Sequence, residues 1–225
     1  MCDMMNKPPQ GGEPVRHLRV RSAGGRDMAA VEGFYKQHQP HNLVARDLGA
    51  LMRASELQRL YMVEETREKQ IVAAGACCAH CDGRFVEVGG AVVRWKGYGL
   101  QRLLTHIRTV QSLAMTFSDV QVFCIVDAAQ TSLKGRMSAL GFAPWGQPPR
   151  ELIGDLAEQG HSGGDYLLFA TERVEEHRQR LLELARSGVV RHIGTGTAAC
   201  VSLDILLNID RHFKTAHETA APIPT

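Results

Sequence analysis

The stretch that decides the fold is Phe85-Val86-Glu87-Val88-Gly89-Gly90-Ala91-Val92-Val93-Arg94-Trp95-Lys96-Gly97-Tyr98-Gly99-Leu100-Gln101-Arg102-Leu103-Leu104. It begins as a β-like run, crosses a basic loop holding Gly97 and Gly99, and enters a segment with Leu100, Leu103, Leu104, Ile107, Val110 and Ala114 on one face of a helix. A helix N-terminus offers exposed N–H groups backed by the macrodipole, and so makes an anion site. Gly97 and Gly99 let backbone approach phosphate oxygens without a Cβ in the way. Arg94, Lys96 and Arg102 add positive charge. This chemistry suits a diphosphate better than a free carboxylate. It is not a Walker loop, which needs Gly-Lys-Ser/Thr after its spacer. Nor is it the dinucleotide fingerprint, because Arg102 stands where the third glycine belongs.

Working outward, Leu60 to Val63, Gln70 to Cys78 and Phe85 to Val93 are three β-like runs. The charged turn Glu64 to Lys69 and the Asp82-Gly83 hairpin signal separate them, which predicts an antiparallel meander. Further upstream, His17-Leu18-Arg19-Val20-Arg21 alternates as a half-buried strand. Asp27 then precedes Met28, Val31, Phe34 and Tyr35 at helical spacing, Pro40 ends that element, and Leu43 to Leu57 continues as a second helix. Downstream, Val120 to Val126 suits a central buried strand, and Thr131 to Leu140 a helix stopped at Gly141. The loops Trp145 to Arg150 and Gly160 to Gly164 flank a segment of ambiguous period, and Asp165 to Ala170 reads as one more strand. Glu172 to Ser187 reads as a charged helix ended by Gly188. After the turn Gly194-Thr195-Gly196-Thr197, Leu203 to Phe213 reads as a second, more apolar helix. The expected organisation is a disordered tail over 1–14, a main domain over 15–172, a helical extension over 173–219 and a short tail over 220–225.

Composition sets bounds on this reading. With 225 residues, 44% hydrophobic and 22% charged, the chain is an ordinary globular sequence, which excludes disordered, collagen-like and coiled-coil classes for most of its length. A formal net charge of +2 gives no field that argues for nucleic acid as a partner. No apolar run approaches a membrane span, and the first residues lack the apolar core of a signal peptide. The six cysteines are too sparse for a disulfide scaffold, so a reducing cytoplasm is the expected compartment.

The element order around Arg94-x-x-Gly97-x-Gly99, together with Gly141-Phe142 after the later helix, resembles the GNAT superfamily of acyl-CoA-dependent N-acyltransferases over about residues 15–172. The resemblance implies an α/β (α+β) fold, a mixed and mainly antiparallel central sheet flanked by helices. It implies acetyl-CoA or another acyl-CoA as co-substrate and no metal. The pyrophosphate would rest on Arg94, Lys96, Gly97, Tyr98, Gly99 and Leu100, with the pantetheine arm along Ala91, Val92 and Val93. The acceptor would be a small-molecule or protein amine. Two positions depart from the family pattern. Met137 stands where a Tyr commonly protonates the leaving thiolate, and Gln130 where Asn is frequent. The competing reading is therefore a non-catalytic acyl-CoA sensor or regulatory module on the same fold.

Glu87 is the candidate base, against the plainer reading of a solvent-facing strand residue. Asp127 is a second candidate, against a turn residue. Cys124 reads as a core side chain rather than a nucleophile. Cys77-Cys78-Ala79-His80-Cys81 lacks a second ligand pair and does not read as a zinc site. His106 is expected at the surface or boundary, and His212 and His217 without partners. Acceptor contacts are expected from the loops 37–42, 64–70 and 146–164, and a homodimer contact from the C-terminal helices.

Overall fold

The computed structural model describes residues 15–38, 48–114, 120–161 and 163–205. The elements run β1 (Arg16–Ser22), α1 (Met28–His38), α2 (Leu48–Glu56), β2 (Leu60–Glu65), β3 (Gln70–Ala76), β4 (Cys78–His80), β5 (Phe85–Glu87), β6 (Val92–Val93) and α3 (Leu100–Ala114). They continue with β7 (Gln121–Val126), α4 (Thr131–Ala139), β8 (Phe142–Pro144), α5 (Arg150–Glu158), β9 (Asp165–Phe169), α6 (Val174–Ser187), β10 (Val189–Arg191) and β11 (Ala198–Leu203).

The strands form a curled, mostly antiparallel sheet in two halves, ordered β10-β11-β1-β2-β3-β6 and β4-β5-β7-β9-β8. The halves are made by strands that change partners. The second apolar run breaks between Ala76 and Cys78, and the third between Glu87 and Val92. Thus β3 pairs with β2 and β6 in the first half, while β4 and β5 pair in the second. β5 runs parallel to β7, and their last rung is the Val88 N–H donating to Phe123 O at 2.7 Å. Beyond it the sheet splays, with Gly89 to Val93 on one side and Cys124 to Asp127 on the other.

Both faces of the first half are covered, so β2 is buried almost throughout. Tyr61 and Val63 point to α3 with Leu18 and Val20, while Leu60 and Met62 join Val31, Phe34, Tyr35 and Leu51 of α1 and α2. On α3, Leu100, Leu103, Leu104, Ile107 and Val110 are buried at the predicted helical spacing. Burial of each such side chain contributes about 1.5–3 kcal/mol, which explains why this helix anchors the fold.

One member of that stripe is charged. Arg108 follows Leu100 and Leu104 at four-residue intervals and is only 2% exposed. Its Nη1 donates to Ala76 O at 3.2 Å and Gly89 O at 2.5 Å, and its Nε to Leu104 O at 3.1 Å. Ala76 and Gly89 are the points where strands leave one half-sheet for the other. A splay strips ladder partners from buried carbonyls, and Arg108 supplies donors to them.

Several expectations need correction. The ambiguous segment inside 146–164 contains α5, which buries Leu152 and Leu156, and Glu64 and Glu65 belong to β2 rather than to a loop. The extension is not wholly helical. α6 ends as predicted at Gly188 in the left-handed region (φ 60°), but β10 and β11 then form a hairpin, with β11 parallel to β1. Leu203, expected to open a helix, closes β11, because Val201 and Leu203 join the core in strand alternation. Leu181 of α6 is buried against the chain's own core. The tail 1–14, the positions 206–213 of the predicted second helix, His212, His217 and residues 220–225 lie outside the described residues, as do 39–47.

Candidate active site

A cavity of about 780 Å³ runs from the anion loop to the splay. At its basic end the loop crosses the sheet edge. The N–H groups of Arg94 and Trp95 donate to Val72 O at 2.9 and 3.4 Å, and Arg16 lies over the Trp95 ring at 4.3 Å. Gly97 (φ +87°) and Gly99 (φ +72°) then take conformations that side chains rarely adopt. Gly99 O accepts the Leu103 N–H at 3.0 Å and so opens α3. Among the described residues no acceptor meets the N–H groups of Lys96 to Gly99, and the first-turn N–H groups of α3 have no intrahelical partner. Lys96, Arg102 and Arg136 line the same cavity.

Not every predicted coenzyme residue faces this space. Ala91, Val93, Lys96, Gly97, Tyr98, Gly99 and Leu100 line it. Val92 is buried on the opposite side with α1 and α2. The Arg94 side chain turns away and donates to Gln70 Oε1 at 2.9 Å, so only its backbone shapes the loop. At the splay the N–H groups of Gly89, Gly90 and Ala91 meet no acceptor among the described residues. Tyr35 fixes this segment by donating its hydroxyl to Gly90 O at 3.0 Å.

Glu87 is buried at 4% exposure, which overturns the solvent-facing alternative. It shares a face of β5 with Phe85, whereas Val86 and Val88 face α3. An ideal Cβ on Gly89 would lie 2.0 Å from Glu87 Oε1, so the carboxylate is folded against a residue that lines the cavity. Behind it stand two histidines, with His80 Nε2 at 3.7 Å and His161 Nε2 at 3.9 Å from Glu87 Oε2. The His80 Nδ1–H donates to Asp155 Oδ2 at 3.0 Å, which leaves Nε2 aimed at Glu87. Burial pushes the Asp155 carboxyl up, but hydrogen bonds from Gln159 and His80 outweigh it and hold the group below the ordinary value. Asp155, His80 and Glu87 thus form a chain of polar groups reaching from the surface to the back of Gly89.

Asp127 sits exposed at the cavity rim and accepts the Ala129 N–H at 2.9 Å, capping its own turn. Cys124 also lines the cavity, and burial followed by the Glu87 charge pushes its thiol well up, away from the reactive thiolate. Met137 is buried at the wall and can donate no proton. Among the described residues no group of His, Cys, Asp and Glu is placed to hold a metal ion. His106 is half-buried, its ring 4.5 Å from that of His177 on α6.

No protein-family model matches the sequence, and no curated protein is recognisably similar to it. Solved structures do match. Rv2747 from Mycobacterium tuberculosis, in complex with CoA, superimposes with a TM-score of 0.52 at 18% identity, over 67% of this chain and 98% of that one. The loading GNATL domain of CurA from Lyngbya majuscula gives 0.52 at 13%, over 70% and 99%. N-acetylglutamate synthase from Neisseria gonorrhoeae, complexed with coenzyme A and N-acetyl-glutamate, gives 0.51 at 14%, over 70% of this chain but 35% of the synthase. The shared feature is the GNAT fold.

Proposed function

We propose that this GNAT-fold chain is an acyl-CoA-dependent N-acyltransferase, most simply using acetyl-CoA, that acts on an amine by direct attack. The observation that carries the reading is one continuous cavity joining the anion loop to the splay, where the N–H groups of Gly89 to Ala91 meet no acceptor among the described residues, with the buried Glu87 carboxylate packed against Gly89 in its wall. The loop and the first turn of α3 bind the coenzyme diphosphate, with Lys96 and Arg102 beside it. The splay admits the pantetheine arm and brings the thioester carbonyl to the backbone N–H groups, where one such donor can contribute about 3–4 kcal/mol to the transition state.

Glu87 takes a proton from the incoming ammonium, with His80, held by Asp155, packed behind the carboxylate. The freed amine attacks the thioester carbon and a C–N bond forms; the second nitrogen proton passes to solvent as the C–S bond breaks, and the coenzyme leaves as thiolate, which solvent protonates. Asp127 orders water at the mouth. Positioning of amine and thioester supplies much of the rate, on the order of 7–11 kcal/mol in favourable cases. The acceptor is an amine of a small molecule or of a protein.

The test is release of free thiol from acetyl-CoA across a panel of amines. Turnover with at least one amine is expected, and Glu87→Gln should lower it about 10²–10⁴-fold while coenzyme binding is retained. An unchanged rate in Glu87→Gln removes Glu87 as base. Binding without turnover for every amine favours the sensor reading, for which Met137 in the cavity wall is the specific support.

A further inference from the structure

The hairpin of β10 and β11 lies beyond the acyltransferase body, yet its tip rests on the anion loop. The Ile193 N–H donates to Gly97 O at 3.0 Å. The His192 ring lies so close to Gly97 that an ideal Cβ there would stand 2.2 Å from Nε2, and it meets Tyr98 edge-on at 5.1 Å. Gly194 and Thr195 N–H groups both donate to His192 Nδ1, at 3.2 and 3.1 Å, which puts the ring proton on Nε2 and locks the imidazole in the turn. The Gly196 N–H donates back to His192 O at 2.9 Å, and the His192 N–H to Thr197 O at 2.9 Å. The pairing of β11 with β1 anchors the other end. The tip is therefore a built and fixed part of the cavity wall.

Two of its side chains face the cavity with nothing to do inside the protein. Arg191 is exposed and has no carboxylate at ion-pair distance among the described residues, which is also true of Lys96, Arg102 and Arg136 on the same wall. Ile193 is 85% exposed, far more than any other large apolar side chain of the described residues, although it sits at a cavity mouth. The helix N-terminus with Lys96 and Arg102 already meets the charge of a diphosphate. A further cation beside a bare aliphatic surface matches a different group, a purine ring on a ribose that carries its own phosphate.

We propose that the β10–β11 tip is the nucleotide subsite of the coenzyme cavity: Ile193 covers the adenine face and Arg191 binds the ribose phosphate. This rests on the coenzyme reading above and adds to it a discrimination between coenzyme A and its analogue lacking the ribose phosphate. The hairpin thus makes the C-terminal extension part of the ligand site.

The test is calorimetric titration of the full chain with coenzyme A, with dephospho-coenzyme A and with 4′-phosphopantetheine. Wild type should prefer coenzyme A over the dephospho form about tenfold, the scale of one charge-assisted contact. Arg191→Gln should abolish that preference and leave dephospho-coenzyme A affinity unchanged. Ile193→Ser should weaken both nucleotides about three- to tenfold and leave phosphopantetheine unchanged, as loss of one apolar contact predicts. Both side chains are exposed, and melting curves check that the variants fold. An Arg191→Gln protein with the wild-type preference, or one weakened equally towards all three ligands, overturns the subsite. A wild-type chain that binds none of them overturns the coenzyme reading itself.

Discussion

Replacing Arg108 by Met tests the idea that a buried guanidinium holds the splay open. The substitution keeps a long apolar side chain but removes the donors to Ala76 O at 3.2 Å and Gly89 O at 2.5 Å. Leu104 O loses little, because within the helix it keeps its own partner four residues on. Hydrogen bonds from a charged group contribute about 1.5–3 kcal/mol each, so the two lost contacts amount to roughly 3–6 kcal/mol. Against this, the variant no longer buries a guanidinium without a carboxylate, which returns part of that sum. The net expectation is a loss of about 2–3 kcal/mol. Urea denaturation should show a lower midpoint at unchanged m-value. For a chain of this size the melting temperature should fall by about 4–12 °C. Arg108→Lys, which keeps the charge but not the fork, should fall between the two. Gly89 to Ala91 would also relax, so coenzyme affinity should drop in parallel. An Arg108→Met protein as stable as wild type would refute the argument, since the two carbonyls would then need no donor.

Other outcomes follow from the same geometry. Gly89→Ala places a Cβ where Glu87 Oε1 now lies, so turnover should fall at least about tenfold with coenzyme binding largely kept, read by thiol release beside calorimetry. Cys124→Ala should keep turnover within about threefold, because direct attack needs no thiol; a loss of about 10³-fold would indicate a covalent intermediate. Burial, and then the neighbouring His177, depress His106 to about 3, and burial likewise lowers His177. The folded state therefore refuses protons that the unfolded chain accepts below about pH 6.5. Stability should be constant above that value and fall on acidification, by about 2 kcal/mol between about pH 6.5 and 5 from His106 alone. Denaturant titrations at the two pH values measure this, and His106→Phe should flatten the profile.

The sequence disclosed the anion loop and its helix because they lie in one continuous stretch, where glycine spacing and a 3.6 period are both visible. Glu87 was legible as a candidate, but its burial was not, since His80, Asp155 and His161 reach it only through tertiary packing. Arg108 left a signal that could have been used, as a charge falling on the apolar stripe of Leu100 and Leu104. The break at Cys77 was hidden because both halves of that run are apolar and only partner exchange separates them, whereas Gly89-Gly90 did mark the other break. β10 and β11 were missed for a different reason. Val189-Val190-Arg191 is too short to announce a strand, and its partner's neighbour β1 lies at the other end of the chain. Cys200-Val201-Ser202-Leu203 does alternate, and with the Gly-Thr turn before it that was the available clue.

The most direct test of the central claim is a thermal melt of the full chain with and without acetyl-CoA, with Gly97→Glu as control. Saturation at about 100 times Kd adds roughly 2.7 kcal/mol, or about 5–10 °C for a chain of this length. Wild type should show that shift and the control should lose it, because the new side chain meets both a left-handed backbone and the His192 ring. A wild-type melt unmoved by millimolar acetyl-CoA would contradict the account, leaving the GNAT fold without its coenzyme.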